Sequence, residues 1–228
     1  MKKSGLINTA KPSERSVFRI EGLPIDYLEY FFPGILAMVV LFTAVFATMS
    51  VIEDRQRGFL QQVMVVPGSR ASFVLGKTAG VTTMALVQCL LCVLAAPAAG
   101  ISLGGIHWPL LLLSLTLGCI GLTAVNFAMA WVINSTAGYH AIMGVLLLPL
   151  WIVSGAMFPP SGNWVGPVMA ANPMSYLVDA TRHSLYGGSA PVSQAGLGAS
   201  LGVLGGFALV GVAFTVWFVD RRSQGGRA

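Results

Sequence analysis

Cys89 and Cys92 are spaced C-x-x-C, the arrangement that shuttles a disulfide when one thiol sits at an accessible helix start. Both lie, with Cys119, inside long apolar runs, where they read as small packing residues. His140 and His183 have no second ligand at metal spacing nearby and read as interfacial or packing histidines. Ser154-Gly155 invites comparison with an intramembrane serine protease, but the G-x-S-G that such an enzyme needs is broken by Ile152. No G-x-x-x-x-G-K-[ST] loop occurs, so the chain carries no phosphate cradle of its own. Three non-catalytic groups then hold the functional interest. They are the charged stretch 53–77, the pair Asp179 and Arg182, and the mid-span amides Gln88 and Asn126.

These groups must be positioned by membrane helices. The 228 residues are 55% apolar and 9% charged, with mean hydropathy +0.78. Soluble domains carry about 25% charged residues, so this chain cannot cover a water-facing surface. The fold class is an all-α integral membrane protein. The net charge of +5 does not signal nucleic acid, because the basic residues flank apolar runs and act as topology determinants.

Five spans are predicted, at 33–50, 74 or 78 to 98, 108–133, 139–158 and 198–219. About 20 apolar residues cross the ~30 Å hydrocarbon layer. Pro33-Gly34 is expected to open the first span and Pro149 to kink the fourth. Gly198, Gly202 and Gly206 recur every four residues and predict a stripe for close helix contact. Between the last two spans, 173–186 reads as a short amphipathic helix with Asn172 as N-cap and Pro173 in the first turn. It is expected to dip into or lie on the outer leaflet. The chain divides into a polar tail (1–22), the transmembrane domain (23–222) and a short cytoplasmic tail (223–228). Arg55, Arg57, Arg70 and Lys77 in the first loop, with Arg221, Arg222 and Arg227 at the end, oppose Arg182 alone in the outer segments, so the loop and C-tail face the cytoplasm. Five spans then put the N-tail outside, although Lys2, Lys3, Lys11, Arg15 and Arg19 favour the inside.

Each group has a plain reading beside its functional one. The charged loop could be a topology anchor. Asp179 and Arg182, at i and i+3, would as a surface ion pair contribute only about 0.3 kcal/mol; functionally they would belong to an outer gate. Gln88 and Asn126 suit interhelical hydrogen bonds of about 0.6–2 kcal/mol, or the lining of a substrate path. No Asp, Glu, Lys or Arg lies deep in any predicted span, whereas ion-coupled transporters need one. Energy is therefore expected from a separate subunit.

The stretch E-D-R-Q-R-G-F-L-x(6)-P-G-S-R, Glu53 to Arg70, followed by Gly76-Lys77, resembles the membrane subunits of ABC-2-type ABC transporters. Ser154-Gly155-x-x-Phe158-Pro159 and N-P-M-S-Y-L-V-D-A-x-R, Asn172 to Arg182, are similar to two further family segments in the same order. The resemblance implies a permease for drug-, lipid- or glycan-like cargo in the cytoplasmic (inner) membrane, a homodimer or heterodimer of permeases, and an ATP-binding-cassette partner. That partner would bind ATP and Mg; this chain would bind no cofactor. It further implies that a cytoplasmic helix in the first loop docks on the ATPase, with Glu53, Arg55, Arg57 and Gly58 as contact and hinge, closed by Pro67 and Arg70. Asn172, Pro173, Tyr176, Asp179 and Arg182 would form the outer re-entrant element. The family has six spans, and Pro33-Gly34-Ile35-Leu36 matches the second, so its first is not represented here. A non-transporting membrane assembly or accessory subunit is the alternative.

Overall fold

A computed structural model describes residues 26–57, 70–159, 165–187, 190 and 192–224. The expected tail 1–22 lies outside them. So do Gly58 and Pro67, expected from the resemblance to couple to an ATPase, together with the cytoplasmic helix expected there.

Five helices are long and apolar enough to cross a membrane, and no strand occurs among the described residues. Helix α1 is Tyr27–Gln56 and α2 is Arg70–Val93. Two single 3₁₀ turns, Ala96–Ala99 and Leu103–Gly105, lead to α3, Trp108–Val132. Helix α4, Thr136–Trp151, continues as a π-helical turn over Ile152–Ala156. Short α5, Val165–Ala171, precedes α6, Pro173–Leu185, and the chain ends in α7, Leu197–Gln224.

The first span begins before the expected proline. Pro33 sits inside α1, in the second turn. It has no N–H for the Glu29 carbonyl four residues back, and the Tyr186 hydroxyl donates to that oxygen at 2.9 Å. A tertiary partner thus takes over the bond that proline removes, and the helix starts at Tyr27. Tyr186→Phe is expected to lower stability by about 1 kcal/mol, the ordinary worth of one such bond; urea unfolding in detergent micelles would measure it. With 30 residues, α1 is about 45 Å long, so its charged last turn projects past the hydrocarbon.

The distortion expected at Pro149 falls further on. Helix α4 runs through the proline and widens at Ile152–Ala156, where Gly155 adopts φ 79°. The Asn172 side-chain amide donates to the Leu150 carbonyl at 2.6 Å, and the Trp151 indole donates to the Gly34 carbonyl at 2.9 Å. The first bond gives a partner to a carbonyl next to the widened turn, and the second ties that turn to α1.

Close helix contacts use different glycines from those expected. Gly198, Gly202 and Gly206 face open space. The tight approaches are at Gly34, Gly118, Gly121 and Gly211. A Cβ at Gly121 would lie 2.3 Å from the Phe207 ring, and one at Gly211 3.2 Å from the Ala124 Cβ. There α3 and α7 meet, joined by the Thr215 hydroxyl donating to the Ala124 carbonyl at 2.8 Å. The Gly198 stripe has the spacing for close packing, but among the described residues nothing lies within 4 Å of a Cβ placed there.

Helix α6 is buried along nearly its whole length, packed against α1, α3 and α7. It dips into the helix bundle and does not lie on the surface. Asn172 caps it, accepting from the Met174 N–H at 3.0 Å, with Pro173 in the first turn.

Candidate functional site

Two polar clusters sit at opposite ends of α1. At the basic end, the helix carries Glu53, Arg55, Gln56 and Arg57 in its final turn. Their side chains take different directions because successive helical residues are about 100° apart. The Arg57 side chain is exposed, at 77%, and sits 3.6 Å from Glu53 one turn back. Such a pair contributes little to stability but presents a charged face to water. Arg55 turns the other way. Its guanidinium donates to the Trp131 carbonyl at 2.6 Å and to the Ile133 carbonyl. Gln56 donates to the Asn134 carbonyl at 2.7 Å. The first two are carbonyls at the C-terminal end and cap of α3, where the helix dipole also favours a cation, and the third lies in the turn beyond. Lys77 of α2 lies 3.8 Å from Asp54 and 2.5 Å from the Ser50 hydroxyl. Arg70 opens α2.

At the other end, Asp179 and Arg182 are buried, not on the surface: their exposures are 3% and 1%. The reading of the two as a surface ion pair is corrected here. The reason is α6 itself, which brings both residues between α1, the π-helical turn and the segment 192–195. Arg182 lies 3.3 Å from Asp179 and donates to the carbonyls of Val192 at 2.9 Å and Gly155 at 3.2 Å. Its guanidinium also stacks 4.5 Å from the centre of the Tyr30 ring, and the Tyr30 hydroxyl donates to the same Gly155 carbonyl at 2.6 Å. Asp179 accepts from the backbone N–H groups of Gln194 and Ala195, each at 3.0 Å. Burial pushes the Asp179 carboxyl above the ordinary range, against the opposing pull of the Ala195 N–H and Arg182. Tyr176, on the same helix, donates to the Ala170 carbonyl at 2.7 Å. The re-entrant residues named from sequence thus share one helix, and Asp179 and Arg182 tie it to three other segments.

The mid-span amides are not brought together. Asn126 is buried, donating to the Leu122 carbonyl at 2.8 Å and accepting from the Tyr139 hydroxyl at 3.3 Å. Tyr139 in turn lies 2.7 Å from the Thr48 hydroxyl, so three spans share one buried network. Gln88 accepts from Thr43 and lines a groove of about 540 Å³ between α1 and α2, otherwise walled by apolar residues such as Met38, Phe42 and Met84. The redox and protease readings gain no support. The three cysteines carry free thiols, and the Ser154 hydroxyl donates to the Trp151 carbonyl in its own helix. His140 packs against Phe46 and Tyr139. His183 lies 3.2 Å from the Ala195 carbonyl. Among the described residues no cluster could hold a metal.

Sequence reasoning passed over Gln56, Tyr30, Tyr139 and Tyr186. For Tyr186 a signal existed: a proline in the first span leaves a carbonyl wanting a donor. For Tyr30 and Gln56 the partner lies more than 70 residues away, and nothing local announces it.

The family model for ABC-2 family transporter protein matches residues 7–217, nearly the whole chain. The chain belongs to the ABC-2 transporter family. Its ABC-2 relatives include proteins named as a candidate transport permease, ycf38. The one from Cyanophora paradoxa is 29% identical over 175 residues, covering 74% of this chain and 60% of the relative. That from Porphyra purpurea is 24% identical, covering 69% and 56%, and that from Pyropia yezoensis 26%, covering 66% and 53%. This ABC-2 chain thus spans somewhat over half the length of the curated relatives it matches. No solved structure matches it. Family and helices together make it a multi-pass membrane protein.

Proposed function

We propose that this chain is the membrane-spanning permease subunit of an ATP-driven exporter, moving an amphipathic or hydrophobic molecule across the cytoplasmic membrane. It contributes no ATPase activity. Two copies, or this chain and a related permease, work with two ATP-binding-cassette subunits that hold ATP and Mg. The observation that carries the reading is the family match over residues 7–217. The basic end of α1 supports it: Glu53 and Arg57 offer a charged, water-facing pair immediately ahead of the loop that the family motif occupies. Asn172, Pro173, Tyr176, Asp179 and Arg182 form the outer element that opens for release. The apolar groove beside Gln88 suits lipid-like or drug-like cargo; Asn126, buried in the Thr48–Tyr139 network, serves the path only by holding three spans together.

Co-expression with candidate ATP-binding subunits and reconstitution in vesicles tests this. The wild-type chain is expected to co-purify with one of them and to move a fluorescent amphipathic substrate only with ATP. Arg57→Glu, which reverses the exposed charge, should uncouple hydrolysis from transport. Transport with no ATPase present overturns the proposal; stable association without any transport points to an accessory subunit.

A further inference from the structure

We infer that Arg55 and Gln56 are not part of the surface that an ATPase would grip but form the linkage that carries its motion to the rest of the bundle. The inference rests on the permease reading above. It separates the Glu53–Arg57 pair, turned to water, from Arg55 and the exposed Gln56, whose side chains reach the carbonyls at and beyond the end of α3.

The geometry supports that division. Arg55 spans the end of α3, donating to the carbonyls of Trp131 and Ile133, and Gln56 donates to that of Asn134. Three consecutive-region carbonyls at one helix end are thus held by two adjacent side chains of another helix. The turn they grip is short. Helix α3 ends at Val132, and α4 begins at Thr136 with Ser135 as its N-cap, its hydroxyl accepting from the Gly138 N–H. A displacement of the α1 end therefore moves α3 and α4 together. Lys77, against Asp54 and Ser50, ties α2 to the same turn of α1. The end of α1 is a hub to which three other spans are fastened. These side chains add a polar linkage at the end of α1 to its packing against the same spans. Charge-assisted bonds suit this task, because they are the stronger and more directional class. A planar guanidinium reaching two carbonyls resists rotation in a way that one ammonium cannot.

The test has two arms on the full chain in lipid nanodiscs. In the first, amide hydrogen exchange is followed over residues 133–139. Arg55→Ala is expected to speed exchange there about tenfold or more, as loss of a charge-assisted hydrogen bond implies. Arg57→Ala should leave it unchanged. Equal effects of the two, or no effect of Arg55→Ala, overturn the linkage. In the second arm, with an associated ATP-binding subunit, Arg55→Ala is expected to keep the partner bound while transport per ATP falls about fivefold or more, a coupling change of the usual order. Arg55→Lys should restore part of it. Loss of the bound ATP-binding subunit with Arg55→Ala shows that Arg55 is a contact and overturns the inference. If no ATP-binding subunit associates with the wild-type chain, the permease reading fails, while the exchange arm still decides whether Arg55 holds the turn.

Discussion

Arg182→Met is expected to destabilise the protein by about 3–5 kcal/mol, the usual cost of removing one partner of a buried ion pair. The change leaves Asp179, 3% exposed, without its cation, takes the arginine donor from the Val192 carbonyl and leaves the Gly155 carbonyl with the Tyr30 hydroxyl. Methionine fills similar volume, so the loss is electrostatic and hydrogen-bonding, not a cavity. The double variant Asp179→Asn, Arg182→Met should lose less than the sum of the two singles, because a buried pair replaced by neutral groups no longer strands a charge. The single variant should also depend on pH. Burial already raises the Asp179 carboxyl, and Arg182 is one of the groups that hold it down; removing the arginine raises it further. A carboxyl whose pKa is higher in the folded state favours folding while protonated. Its contribution is fully present below the unfolded carboxylate range and is lost as pH rises through the raised value. Arg182→Met should therefore be least destabilising in acid and worsen above the ordinary carboxylate range. Thermal unfolding in detergent micelles, with the exposed Arg57→Met as control, measures this. A shift no larger than that control would show that the cluster does not hold this end of the bundle together.

Gly34→Ala is expected to cost about 1–3 kcal/mol and Gly34→Leu to prevent assembly of the bundle, as overpacking against backbone does. A Cβ at Gly34 would sit 2.7 Å from the Ala156 Cβ and 3.0 Å from both its Cα and its carbonyl oxygen. A flexible side chain could swing aside; the backbone of the π-helical turn cannot. That turn is already held by the Trp151–Gly34 bond and by Tyr30 and Arg182 on the Gly155 carbonyl. Alanine at Gly34 forces α1 away from all three. By contrast, Gly202→Ala should be neutral or stabilise the helix by up to ~1 kcal/mol, since nothing lies within 4 Å and alanine is the better helix former. Denaturant unfolding of the two variants side by side gives the comparison. Greater damage from Gly202→Ala would mean that the outward stripe, not Gly34, makes the tight contact.

The spans were legible from sequence because crossing hydrocarbon is a property of one segment at a time: about 20 apolar residues with satisfied backbone suffice, whatever the neighbours. The cap of α6 was legible for the same reason. Asn172 and Pro173 act on N–H groups within one turn, and the helix starts where they place it. The motif between Glu53 and Arg70 was legible as a string, and it pointed to the family that the comparison over residues 7–217 shows.

Hydropathy and local pattern thus determined the class of protein, five membrane helices, a buried or surface short helix before the last of them, and which end is basic. They did not determine which side of a residue has a neighbour. Spacing alone marked Gly198, Gly202 and Gly206 for packing, while the tertiary fold placed the close contacts at Gly34, Gly118, Gly121 and Gly211. A pair at i and i+3 has the same spacing in water or in a core; only the burial of α6 among α1, α3 and α7 made Asp179 and Arg182 an interior clamp. Arg55 and Arg57 look equivalent in the string, yet one caps α3 and the other faces water. The physical reason is common to all three cases: the free energy of a charge or a missing side chain depends on what lies opposite, and that partner is set by residues as much as 150 positions away.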